Sequence, residues 1–127
     1  MGQICKQVFV TAENKPGALA KVTGPLKEAG VSLTGCCAWG EDKKANFALL
    51  TEDNAKAIEA LKKAGFAPIE QEVVTTTLAH RVGSLAEAAQ KLGQANIDIQ
   101  FCYGTASGGN ALAVFATSDN TKAAGLI

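Results

Sequence analysis

Two short stretches hold the residues best suited to chemistry. Asn14-Lys15-Pro16-Gly17-Ala18-Leu19 and His80-Arg81-Val82-Gly83-Ser84-Leu85 each lead from an alternating apolar pattern into a helix-period pattern. A helix that starts there leaves the amides of Gly17, Ala18 and Leu19 without helical acceptors, and its dipole favours an anion in front of them. A carboxylate suits that seat. Glycine lets a ligand approach the backbone and tolerates a left-handed conformation, while the side-chain oxygen of Asn14 or a loop carbonyl can accept from an ammonium. His80 can do the same at the second loop. The same residues also serve a plain structural purpose, since Gly is a common turn residue and Asn a common helix cap.

Other chemistry finds little to work with. The chain has one His, no legible Ser/His/Asp or Cys/His set, and acids and lysines that fall mostly on turns or solvated helix faces, so no catalytic residue is assigned. Cys5, Cys36, Cys37 and Cys102 show neither a C-x-x-C pair nor metal spacing, and no metal or other cofactor is expected. Three of the four sit in β-patterned apolar runs and read as buried thiols acting as small hydrophobes. The Gly-rich run from Gly104 to Ala111 lacks the Lys-Ser/Thr of a phosphate loop and reads as a hairpin turn. Twelve acidic and twelve basic residues balance to zero, which leaves no basic stripe for nucleic acid. No apolar run approaches the roughly 20 residues of a membrane helix, and the first residues lack a signal-peptide pattern. A cytoplasmic protein without nucleic-acid or membrane partners is expected.

The two loops belong to a repeat. Shifting the chain by 66 residues brings Gly17 onto Gly83 without a gap, and with it Val8 onto Val74, Leu19 onto Leu85, Leu26 onto Leu92, Cys36 onto Cys102, Asp53 onto Asp119 and Asn54 onto Asn120. Duplication of one unit accounts for these coincidences. Residues 1–73 form the first unit and residues 74–127 the second, which lacks a counterpart to the last strand of the first.

Within a unit, Ile4 to Thr11 alternates as a strand, and a helix follows from Gly17 with Leu19, Val22, Leu26 and Ala29 at helical spacing and Gly30 as its cap. Pro25 inside that pattern predicts a bend. Val31 to Trp39 and Ala45 to Thr51 form a hairpin, Asp53 caps a second helix, and Ile69 to Val74 is the fourth strand. The order is βαββαβ, the ferredoxin-like plan, so the fold class is α+β, with two such units and antiparallel sheets. No loop separates the copies: Ile69 to Ala79 reads as one extended segment that changes phase at Val73 and Val74. Asn46 to Thr51 and Ala111 to Thr117 are apolar on both strand faces, so the face away from the helices must be covered. A second chain, giving a homodimer, is the expected cover, with burial inside one chain as the alternative. Trp39 and Tyr103 read as interface or core residues.

With tandem βαββαβ units and a Gly at the first strand-to-helix turn, the chain resembles the ACT domain family of amino-acid-binding regulatory modules, in particular small proteins built of two ACT units. Asn14, Pro16, Gly17 and Leu19 carry the resemblance, and His80, Val82, Gly83 and Leu85 stand in the matching places of the second copy, next to Ser84. The resemblance implies a free amino acid held between neighbouring units. One wall is a Gly loop with Ala18 or Ser84, and the other is the early second strand of a partner unit, around Val31 and Ser32 or Asn96, Ile97 and Asp98. It also implies a regulated enzyme or other protein as the reader of the bound state. A small enzyme on a ferredoxin-like scaffold and a pure assembly module are the competing readings.

Overall fold

The computed structural model describes residues 1–127. Its elements follow the alternation and turn signals closely: β1 Gln3–Glu13, α1 Ala18–Glu28, β2 Leu33–Glu41, β3 Lys44–Thr51, α2 Asn54–Lys63, β4 Ile69–Ala79, α3 Ser84–Gln94, β5 Ile99–Ser107, β6 Asn110–Thr117 and α4 Asn120–Ala124. β4 is the single uninterrupted strand that the segment joining the copies predicts, and Val73 and Val74, on opposite faces of it, are both fully buried.

The chain divides into two compact units, Lys6–Gln71 and Met1–Cys5 with Glu72–Ile127. The first five residues therefore group with the second half, where the sequence reading assigns 1–73 to the first. In the first unit the strand order is β2-β3-β1 followed by the start of β4. In the second, the start of β1 lies beside β4, followed by β6 and β5. Each unit thus has the same four-strand order, and the strand that the second copy lacks at its C-terminal end is supplied by the N-terminal end of β1. Gly2 donates its amide to the Ala124 carbonyl at 3.1 Å, and a Cβ at Gly2 would stand 2.8 Å from a Val74 methyl, so only glycine fits that approach. The strand edge that a truncated unit would leave open is occupied from a distant part of the same chain.

In the first unit β1 pairs with β3 and β3 with β2, all antiparallel, with Val8 opposite Leu49, Val10 opposite Phe47 and Ala12 opposite Ala45. These residues share the face on which Val22 and Leu26 of α1 and Ala57 and Leu61 of α2 pack. The second unit repeats the arrangement with Val74, Ala113 and Phe115 under Ala88 and Leu92 of α3 and Ala123 of α4. The buried stripe of α1 is Ala18, Val22 and Leu26, not the stripe through Leu19 that the spacing predicts: Leu19 is half exposed. α1 runs through Pro25.

Both α1 and α3 end in a left-handed residue that turns the chain back onto its last turn. Gly30 has φ +72° and Val31 donates to the Leu26 carbonyl; Asn96 has φ +59° and Ile97 donates to Leu92. Each second helix begins on a matching polar clasp. Asp53 and Asp119 cap the amides of Lys56 and Lys122. The Asn54 amide donates to the Lys6 carbonyl at 2.9 Å while its oxygen accepts from the Thr51 hydroxyl; Asn120 bridges Glu72 and Thr117 in the same way. The coincidence of Thr, Asp and Asn in the two copies is a structural fastening between a helix start and a central strand.

On the strand faces away from the helices, Ala48, Leu50, Val114 and Ala116 are buried, in line with strands that are apolar on both faces. The cysteines depart from the expectation of buried thiols. Cys5 and Cys37 are half-buried, and Cys36 and Cys102 are exposed on β2 and β5, the outer strands of their units, which have no neighbour on one side. The Cys36 thiol is nonetheless pushed up, chiefly by partial desolvation and then by the adjacent Cys37.

Candidate functional site

Each unit carries a depression where its Gly loop meets the far end of its hairpin. The first, about 300 Å³, is bordered by Asn14, Lys15, Gly17, Ala18 and Leu19 from the loop and helix start and by Ala38, Trp39, Gly40, Ala45 and Phe47 from β2 and β3. The second, about 380 Å³, has His80, Arg81, Ser84 and Leu85 at its mouth and Gly104, Thr105, Ala106, Ala111 and Ala113 in the corresponding strand positions. The repeat in sequence is thus a repeat of cavities in space. Both lie within the range of small-ligand sites.

The loops have the same backbone. Gly17 and Gly83 adopt φ +90° and +92°, and neither helix has a side-chain cap. Asn14 and His80 donate their amides to Lys43 and Gly109 of the facing hairpin turns at 2.8 and 2.9 Å. The first helical hydrogen bonds run from Lys21 to Gly17 and from Glu87 to Gly83. The Ala18 amide, expected to face a ligand, instead donates to the Lys15 carbonyl at 3.1 Å, and Ser84 likewise donates to Arg81. A tight turn of this kind consumes the donor just after its left-handed glycine. The next two amides, Leu19 and Ala20 or Leu85 and Ala86, precede the helical ladder and are the donors left to a carboxylate.

The side chains differ. Asn14 gives its amide hydrogen to the Asp42 carbonyl at 2.9 Å, which leaves its oxygen to accept. Its placement depends on Gly40, where a Cβ would come within 2.6 Å of the Asn14 amide nitrogen. Gly40→Ala should therefore displace Asn14, remove that hydrogen bond at a cost of about 1 kcal/mol, and raise exchange of the Asn14 main-chain amide, which donates to the Lys43 carbonyl; unchanged exchange would show that the clasp does not hold the loop. At the second loop Ala106 takes that position and His80 replaces Asn14. Arg81 there forms a bidentate pair with Glu87 at 2.7 and 3.1 Å, both side chains more than half exposed. The pairing holds Glu87 below the usual carboxylate range and raises Arg81. Ser84 donates its hydroxyl to the Ala79 carbonyl at 2.7 Å.

The sequence-predicted site residues divide into two groups. Asn14, Pro16, Gly17, Ala18 and Leu19 come together at one loop, and His80, Gly83, Ser84 and Leu85 at the other. Val31, Ser32, Asn96, Ile97 and Asp98 lie past the opposite ends of α1 and α3, and an eleven-residue helix spans roughly 16 Å. Val31 and Ile97 are buried in their own cores, the Ser32 carbonyl accepts from Glu52, and Asp98 is held by Ser118, whose amide donates to the Asp98 carbonyl and whose hydroxyl accepts from the Asp98 amide. Within a unit these residues do not join the Gly loop.

Sequence reasoning missed the strand residues of both depressions, above all Phe47 and Ala113. Their register opposite the loop is a matter of strand pairing, and only their spacing of 66 residues could have pointed to them. Trp39 and Tyr103 border the cavities, with Trp39 more than a third exposed and packed against Phe9 at 6.2 Å between ring centroids and Tyr103 stacked on Phe101 at 6.4 Å. No group of three His, Cys, Asp or Glu side chains converges as a metal site, and no helix is long and apolar enough to cross a membrane.

Comparison with known proteins places this geometry. The family model described as an ACT domain pair matches residues 3–127. A crystal structure of a Bacteroides thetaiotaomicron protein superposes with a TM-score of 0.92 at 26% identity, covering 98% of this chain and 87% of that one. The ligand-free regulatory subunit of aspartate kinase from Thermus thermophilus gives 0.71 at 14% identity, covering 98% and 93%. Escherichia coli aspartokinase III, solved with lysine and aspartate in its T-state, gives 0.54 at 13% identity, covering 97% of this chain and 31% of that one. No curated protein matches the sequence.

Proposed function

This chain belongs to the ACT domain family as a pair of ACT domains, and from that premise we propose that it is a non-catalytic regulatory protein that binds a free amino acid. The observation that carries the reading is the recurrence of one cavity at both Gly loops, each with an anion-favouring helix start on one side and a polar acceptor beside it. An α-amino acid presents a carboxylate and an ammonium two bonds apart, which is the pattern that adjacent donors and acceptors fit. Escherichia coli aspartokinase III, crystallised with lysine and aspartate, supports amino acids as the class to test.

Val31 and Ser32, or Asn96 to Asp98, reach a Gly loop only from another unit, so their participation calls for a ligand held between units. The outer strands β2 and β5, which have no neighbour on one side, and the half-exposed Leu19 and Leu85 support a homodimer in which a bound amino acid bridges copies. A ligand that prefers one arrangement of copies shifts their association, and an enzyme or other protein reads the change. Titration calorimetry of the full chain against each of the twenty amino acids at millimolar concentration should give saturable heat for at least one, with light scattering reporting a change in association. Absence of heat for all of them would overturn the reading.

A further inference from the structure

The two loops share a backbone but not a floor. Beneath the start of α1 the first depression ends on Phe47, which is almost fully buried. The corresponding position in the second unit is Ala113, and the aromatic ring has moved one helix-facing step along the strand, to Phe115 where the first unit has Leu49. A benzyl group is thus absent from the space next to the second loop, in keeping with the larger volume there, about 380 against 300 Å³.

The lining of the second cavity is of two kinds. Leu78, Cys102, Ala111, Ala113 and Phe115 line it without a charge that could meet a charged ligand side chain. The loop adds the polar groups: His80, Arg81 and the amides ahead of the α3 ladder. From this arrangement we infer that the second cavity takes an α-amino acid with a large apolar side chain, of leucine or phenylalanine type, and that Ala113 determines this specificity. The zwitterionic end stays at the loop, and the side chain fills the space that Phe47 fills in the first unit. The inference rests on the amino-acid-binding reading above.

The pseudo-symmetry supplies the test, since Ala113→Phe installs the residue that the other unit carries at that place. Ala113→Val, which adds less volume beside Phe115, accompanies it. Circular dichroism of both variants identifies folded protein, and leucine, phenylalanine, aspartate and lysine are titrated in a Gly17→Val background that leaves only the second loop. Leucine and phenylalanine should bind the background protein and weaken by about tenfold or more in at least one folded Ala113 variant, with amide shifts at Leu78, Leu85 and Ala113 in the background protein alone. Undiminished binding in every folded Ala113 variant would overturn the inference, as would tighter binding of aspartate or lysine than of leucine. If the unmodified chain binds no amino acid, the functional reading fails as well; if it binds one solely through Gly17, that reading survives and this one falls.

Discussion

Gly83→Val should abolish amino-acid binding at the second loop, and Gly17→Val should do the same at the first. At φ near +90° an L side chain is strained, at about 1–2 kcal/mol for a left-handed residue and more for a β-branched one. A Cβ at either glycine meets no atom within 4 Å, so the native neighbours offer no clash and the added methyls stand in open space beside the helix start, where a carboxylate would approach. Strain and obstruction separate in a series. Gly83→Ala brings strain with little bulk, so it should lower thermal stability, though less than valine does, while retaining part of the binding. Calorimetry and thermal melts on the three single variants and the double valine variant check this. Full binding by the double variant would show that neither loop touches the ligand.

Leu92→Ala should cause a large loss of stability, about 2–5 kcal/mol. Leu92 is fully buried among Val74, Ala88, Ile97, Phe115, Ala123 and Ile127, and its carbonyl anchors the turn at Ile97. Whole domains are stable by only about 5–15 kcal/mol, and a unit of some 60 residues sits low in that range. The fully buried counterpart Leu26→Ala should act similarly on the first unit. Denaturant unfolding gives the magnitude, and hydrogen exchange locates it: protection should fall most in Glu72–Ile127 for Leu92→Ala and most in Lys6–Gln71 for Leu26→Ala. Equal loss in both halves for each variant would show that the units of the contact pattern do not open separately.

Much of this architecture is legible without coordinates. The duplication shows because Gly17 and Gly83 sit at strand-to-helix turns that only a residue tolerant of positive φ occupies easily. Asp53 and Asp119 mark helix starts because a carboxylate two or three residues ahead of free amides has a local partner. β4 reads as one strand because no turn residue interrupts Ile69 to Ala79. The face of Leu19 is not legible for a related reason: helical spacing identifies a stripe, but Ala18 and Leu19 compete for it, and which one turns inward depends on what the sheet presents.

Patterning and turn chemistry, which act over a few residues, were sufficient for the element order, the repeat, the two Gly loops and the family resemblance. Pairing across long separations decided the rest. Nothing near Met1 to Cys5 signals that these residues serve the second unit, because their partners stand about seventy residues away. Nothing near Asn54 or Asn120 announces the central strand each one grips. Cys36 and Cys102 are exposed on β2 and β5, whose place as outer strands is a property of strand order and not of composition. The floors of the cavities, Phe47 in one and Ala113 in the other, became part of the site only when antiparallel register set them opposite the loops.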